Sequence, residues 1–168
     1  YDGARVVKLH HATTDSFVFQ LNAQEKELFL EMLQLYPLVP AQHHRLTKSP
    51  DAHSDENQRL LEESLAEHRA EKKQMVNALL AAPERFQKHA RHFLFEVKAT
   101  EIDFLLQVLN DVRVGSWLAL GEPDPGQPPE MTPENFRHAI AMEVCGAFES
   151  LLLAALGQSE STDWADEP

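Results

Sequence analysis

Six polar side chains stand near the middle of helix-forming segments, where a plain core would carry Leu or Ala: His68, Lys72, Asn110, Asp111, Arg113 and Glu143. The first two interrupt the series Leu61, Leu65, Met75, Leu79, whose alternating steps of four and three residues describe one packing face of a helix. The next three lie in Leu109-Asn110-Asp111-Val112-Arg113-Val114. Glu143 follows Phe136 by seven residues and precedes Ala147 by four, which puts it on or beside a buried face. Antiparallel packing of the three segments would bring their midpoints into one polar belt centred on Arg113. A buried charge needs a partner, so Arg113 is expected to meet Glu143 or Asp111, with Asn110 completing the hydrogen bonds. Two readings are open. A belt satisfied within itself fixes helix register, whereas an open belt is a pocket for an anion or a metal.

The metal reading has little support. Helical carboxylate sites use Glu-x-x-His, which presents both ligands on one face. That motif does not occur, and Arg113 and Lys72 would oppose a cation. The histidine pairs His10-His11, His43-His44 and His89/His92 come without the third and fourth ligands of a zinc site. Neither a metal nor a cofactor is expected. Cys145, the single cysteine, lies in Glu143-Val144-Cys145-Gly146-Ala147 and reads as a buried, inert thiol. The sequence contains no Gly-x-Ser-x-Gly elbow, Gly-x-Gly-x-x-Gly turn or Walker loop. These absences tilt the reading away from an enzyme and leave no catalytic residue to name.

The elements that must position the belt follow from periodicity and punctuation. Arg5-Val6-Val7-Lys8-Leu9 and Phe17-Val18-Phe19-Gln20-Leu21 predict a hairpin. Asn22 with Glu25 forms a capping box for a first helix through Leu28, Phe29, Met32, Leu33 and Tyr36, which Pro37 and Pro40 end. Residues 39–54 read as a loop. From Asp55 to about Ala81 the chain has no Gly or Pro and predicts a long second helix. Its Glu63, Glu67 and Glu71 form an acidic stripe, read as a solvated face or as a docking surface for a basic partner.

Pro83 to about His89 predicts one or two helical turns, and Phe93-Leu94-Phe95-Glu96-Val97-Lys98 a third strand. Thr100 and Asp103 resemble a capping box before a central helix through Ile102, Leu105, Leu106, Leu109, Val112, Trp117 and Leu120. Four prolines and two glycines make residues 121–129 an extended linker. Thr132 and Pro133 open the last helix, cored by Phe136, Ile140, Val144, Phe148, Leu151 and Ala155, and Gly157 is expected to stop it. The predicted fold is mainly α (α+β): a four-helix bundle-like core with a small N-terminal β-hairpin and a short third strand. Residues 1–157 form one globular domain in this reading, and residues 158–168 an acidic, mobile tail.

The 168 residues carry 15 Lys and Arg against 27 Asp and Glu, a formal net charge of -12. Such a chain repels phosphate backbones. Its most basic segment, Arg85, Lys88, His89, Arg91, His92 and Lys98, is interrupted by Glu84 and Glu96, which argues against nucleic acid. No run approaches the roughly 18 consecutive apolar residues of a membrane span, so no membrane role is expected. One cysteine and no recognisable leader suit the cytoplasm. Leu152 and Leu153 are surplus apolar positions through which self-association is expected.

The run Thr100 to Val114, behind Phe93-Leu94-Phe95, resembles the leucine-asparagine-aspartate-x-arginine segment of an uncharacterised bacterial family of unknown function. Residues 93–114 carry most of that likeness; the predicted helices over Leu21 to Tyr36 and from Asp55 agree with it. The resemblance implies a small, mainly helical cytoplasmic protein and marks Asn110, Asp111 and Arg113. Together these readings favour a non-enzymatic regulatory or protein-interaction module with a protein partner. The alternative is a ligand sensor or enzyme using the Arg113-centred pocket.

Overall fold

A computed structural model describes residues 8–13, 15–41, 52–127 and 129–163. Strand β1 (Lys8–Ala12) pairs antiparallel with β2 (Ser16–Leu21), where alternation is strictest: Phe17, Phe19 and Leu21 are buried while the residues between them are partly exposed. Arg5, Val6 and Val7 of the predicted hairpin lie outside the described residues. Helix α1 (Ala23–Gln34) opens on the expected capping box, the Glu25 N–H donating to Asn22 Oδ1 and the Asn22 N–H to Glu25 Oε2. Helix α2 (Ala52–Leu80) is followed by a 3-10 turn (Pro83–Arg85), then β3 (Phe86–His89), β4 (His92–Lys98) and α3 (Ala99–Ala119). Helix α4 (Phe136–Asp163) is the last described element.

The molecule is therefore mixed α+β, with an antiparallel sheet of order β1-β2-β4-β3. The sheet has four strands where the sequence predicts three. The helical turns expected up to His89 reduce to the 3-10 turn, because Phe86 to His89 gain a pairing partner in β4. Phe86 registers on Phe95, and their rings stack 4.5 Å apart at 7°. Helix α1 sets Phe29 on this aromatic row, 5.4 Å from Phe95 and 4.9 Å from Phe148 of α4. One core thus joins the sheet to α1, α3 and α4, and it includes Leu105, Val108, Leu109 and Val112 of α3.

Strand β4 runs into α3 without an intervening loop, which moves the predicted cap. Glu101, not Asp103, reaches back to the Lys98 N–H (3.0 Å), while Asp103 accepts from Gln107. Glu101 also takes both guanidinium nitrogens of Arg85, at 2.8 and 2.6 Å, tying the turn before β3 to the start of α3. The Arg85 hydrogen bonds, helped by the Lys98 N–H and opposed by desolvation, hold the Glu101 carboxyl below its ordinary 4.5. A lowered folded-state value means that the stabilisation is present above about pH 4.5 and is lost as pH falls through the depressed value. Glu101→Gln is accordingly expected to be less stable than wild type at neutral pH. The two should converge in urea titrations carried progressively below pH 4.5.

Helix α2 does not pack along the predicted seam. Val76 and Leu79 are buried and Leu61 and Leu65 half-buried, but His68 is exposed and Met75 is 40% exposed. The helix is rotated so that Leu65, Arg69, Lys73, Val76 and Leu80 face the protein, and upstream of Leu65 most of its side chains are exposed. Glu63, Glu67 and Glu71 lie on that exposed surface.

Ahead of α4 the Thr132 N–H donates to Asn135 Oδ1 and the Asn135 N–H to Thr132 Oγ1, but this cap closes a turn over residues 133–135 and the helix itself begins at Phe136, three residues later than the sequence predicts. Its end differs too, since the helix continues through Gly157 to Asp163. One glycine costs a helix only about 1 kcal/mol and is no stop by itself. Residues 164–168 of the predicted tail lie outside the described residues. Leu152 is a core residue at 4% exposure, leaving Leu153, at 56%, as the surplus apolar position. Phe136–Gly157 has a mean hydropathy of 1.8 over its most apolar window, enough by length and composition to cross a membrane. The sequence contains no uninterrupted apolar run of that length; the helix reaches the value because its charges are sparse. Core helices of soluble proteins meet the same measure.

Candidate functional site

The segment following α1 forms a strap across α3. It begins at the cis peptide Tyr36-Pro37 and continues through Leu38 and Val39. Gly115 of α3 lets the strap approach, because a Cβ there would lie 2.7 Å from Leu38 backbone and side-chain carbons. Asp111, one helical turn earlier, accepts the Leu38 N–H at 2.6 Å and the Val39 N–H at 3.2 Å. From the other side, Arg69 donates to the Val39 carbonyl and Lys73 to the Tyr36 carbonyl, each at 2.7 Å. The strap's polar backbone is thereby satisfied by two helices that otherwise touch little.

Above the strap, α2 and α3 enclose an open cleft of about 540 Å³. Helix α2 contributes Leu65, His68, Arg69 and Lys72; α3 contributes Gln107, Asn110, Asp111 and Val114; Tyr36 and Val39 supply the floor. Burial first, then the Asp111 carboxylate, push the Tyr36 phenol above its ordinary 10.0, with Arg69 pulling the other way. It stays protonated at neutral pH. Lys72 is half-buried and has no hydrogen-bond or ion-pair partner among the described residues. The walls thus hold two permanent cations, one carboxylate already engaged by backbone N–H groups, and two side-chain amides. Such a set can take up carboxylate or phosphate oxygens. Its one hydroxyl among the described lining residues is the Tyr36 phenol; no Ser, Thr or Cys lines it.

The predicted belt divides. His68, Lys72, Asn110 and Asp111 do line one cleft, but Arg113 and Glu143 do not. Arg113 pairs with neither Asp111 nor Glu143; its Nη1 donates to Glu149 Oε2 at 2.7 Å. The reason is helical geometry: positions two apart face different sides of α3, so Asp111 turns to α2 and the strap while Arg113 turns to α4. Glu149 is 8% exposed and Arg113 half-exposed, so the pair closes the α3–α4 contact and is not an open pocket. Glu143 is exposed near the α3–α4 linker. Cys145 is fully buried, and burial above all, with Glu149 adding to it and Arg113 opposing, pushes its thiol up to about 12. No reactive thiolate exists at neutral pH.

Sequence reasoning missed Arg69, Gln107, Tyr36 and Glu149. Arg69 carried a legible signal, four residues after Leu65 and three before Lys72, on the face that is in fact buried. Glu149 likewise interrupts an apolar run between Phe148 and Leu151. His89 and His92 face each other across the β3–β4 turn, and His10 and His11 lie on β1; all four are exposed. His43 and His44 lie outside the described residues. Among the described residues no three or more His, Cys, Asp or Glu side chains are grouped to hold a metal ion. No family model, curated protein or solved structure matches this chain.

Proposed function

We propose that this protein is a non-enzymatic regulatory module that recognises an anionic group, a carboxylate or a phosphate ester, in the cleft between α2 and α3. The observation that carries the reading is Lys72: half-buried, unpaired among the described residues, beside Arg69 and opposite the amides of Gln107 and Asn110. In a chain of net charge -12 a wall with surplus positive charge is a local exception that concentrates anions. In this reading α1, α3, α4 and the C-terminal part of α2 act as the bundle-like core. The exposed N-terminal part of α2 is the element a ligand would bias. Its Glu63, Glu67 and Glu71 then present an acidic surface to a basic protein partner, in an association that salt weakens.

Thermal unfolding in the presence of inorganic phosphate, citrate and chloride tests the site. A saturable rise in melting temperature is expected with phosphate or citrate and not with chloride, since a ligand selective for the folded state stabilises it by mass action. Lys72→Gln should weaken binding about five- to tenfold and Lys72→Arg should restore most of it. Lys88→Gln, at an exposed position of β3, should leave it unchanged. Equal loss in the Lys72 and Lys88 variants would reduce the effect to bulk charge and overturn the assignment.

A further inference from the structure

We infer that the groove between the end of α3 and the start of α4 is a second, separate binding site, for a small arylalkyl ammonium. It holds about 520 Å³, the size of a small-molecule site. Its walls are carbon-rich: Trp117 and Leu120 of α3, Pro123 of the linker and Met142 of α4. The Trp117 indole N–H already donates to the Pro123 carbonyl at 3.2 Å, so what the indole offers a ligand is its apolar surface. The linker beside it is tied back to α3 by the Glu122 N–H on the Trp117 carbonyl (3.0 Å) and by the Gly121 N–H on the Leu118 carbonyl (3.1 Å). Gly121 and Glu122 both take left-handed backbone angles to make that return, at φ 81° and 58°. These bonds hold the start of the linker against α3, which spares a ligand the entropy of ordering that part of the wall.

Charge selects the occupant. Asp124 and Glu143 line the groove, and neither side chain has a hydrogen bond or ion pair among the described residues. Among the described residues no Lys, Arg or His lines it, and the nearest turn of α3 offers only Arg113, which is committed to Glu149. Both carboxylates are exposed, so a neutral apolar molecule would gain nothing from them, and an anion would be repelled by them. A bare metal ion would find two carboxylates amid carbon surface, a poor ligand set. An aromatic or branched apolar body on Trp117 and Met142, with an ammonium reaching Glu143 and Asp124, satisfies both features, and the indole adds cation–π attraction.

Titrating methyl-labelled protein with phenethylamine, 2-phenylethanol and phenylacetate separates these features, because the three probes share a ring and differ in charge. Phenethylamine is expected to shift the Met142 methyl resonance saturably while Met32 and Met75, which lie elsewhere, stay in place. The alcohol should bind about fivefold more weakly and the carboxylate more weakly still. Glu143→Gln should cost phenethylamine about three- to fivefold and leave the alcohol unchanged. Glu143 is exposed, so that variant keeps the fold. Equal affinity for amine and alcohol would overturn the ammonium assignment. A silent Met142 up to the solubility limit of the amine would overturn the site.

Discussion

Asp111→Ala is expected to lower the free energy of unfolding by about 3 kcal/mol, since it strands two backbone donors, each worth roughly 1–3 kcal/mol when left unpaired, and loses a charge-assisted acceptor. The Leu38 and Val39 N–H groups both donate to Asp111 Oδ1 in a partly buried joint, and Val39 is itself a core residue at 6% exposure. Urea unfolding measures the loss directly. Both N–H groups donate to the same oxygen, Oδ1, which Asp111→Asn keeps as its amide carbonyl, so that variant loses only the charge assistance and should cost about 1 kcal/mol. The two variants also separate stability from recognition. With the strap intact, Asp111→Asn removes the one negative charge from the cleft walls, so phosphate or citrate should bind it as well as or better than wild type. Anion binding lost in Asp111→Asn at unchanged fold would mean that the carboxylate, not Lys72, organises the site.

Gly115→Ala should cost about 2 kcal/mol even though alanine is the better helix former by about 1 kcal/mol. The new Cβ would stand 2.7 Å from the backbone carbon, Cβ and Cγ of Leu38. Side-chain rotation can relieve the Cγ contact, but the backbone carbon belongs to the strap that Asp111 and Arg69 hold, so helix and strap must separate. Leu38→Ala in the same chain should recover only part of the loss, a coupling that a double-mutant cycle reads as non-additivity. A stabilising Gly115→Ala would show that the strap yields without cost, and the expected losses at Asp111 would then shrink with it.

Both effects sit at a joint that no local pattern announces. The sequence shows that Pro37 ends α1 and that Asp111 is polar in an apolar helix; it does not show that Asp111 meets Leu38, 73 residues earlier in the chain. Of the predicted belt, His68, Lys72, Asn110 and Asp111 line one cleft between α2 and α3. The belt's centre moved, because Arg113 and Asp111 project from different sides of one helix and Arg113 found Glu149, 36 residues on. The seam of α2 shifted for a related reason. A face chosen by apolar spacing alone passed through His68 and Met75. The packed face passes through Arg69 and Lys73, whose charged ends bond to strap carbonyls while their stems cover apolar surface.

What the sequence determined by itself is the set of features whose physics spans about one helical turn or one pleat. The Asn22–Glu25 and Thr132–Asn135 caps, the alternation of Phe17, Phe19 and Leu21, and the uninterrupted body of α2 are each fixed by neighbours within four residues. Tertiary structure decided the rest. Strand β3 exists because Phe86 stacks on Phe95, the α3 cap sits at Lys98 because β4 feeds straight into the helix, and α4 passes Gly157 because one glycine is too small a penalty to end it. The cleft and its unpaired Lys72 belong to this second group. Side chains from the strap, α2 and α3 meet there only after the core has closed, and a sequence records which groups are available to meet without recording where burial brings them together.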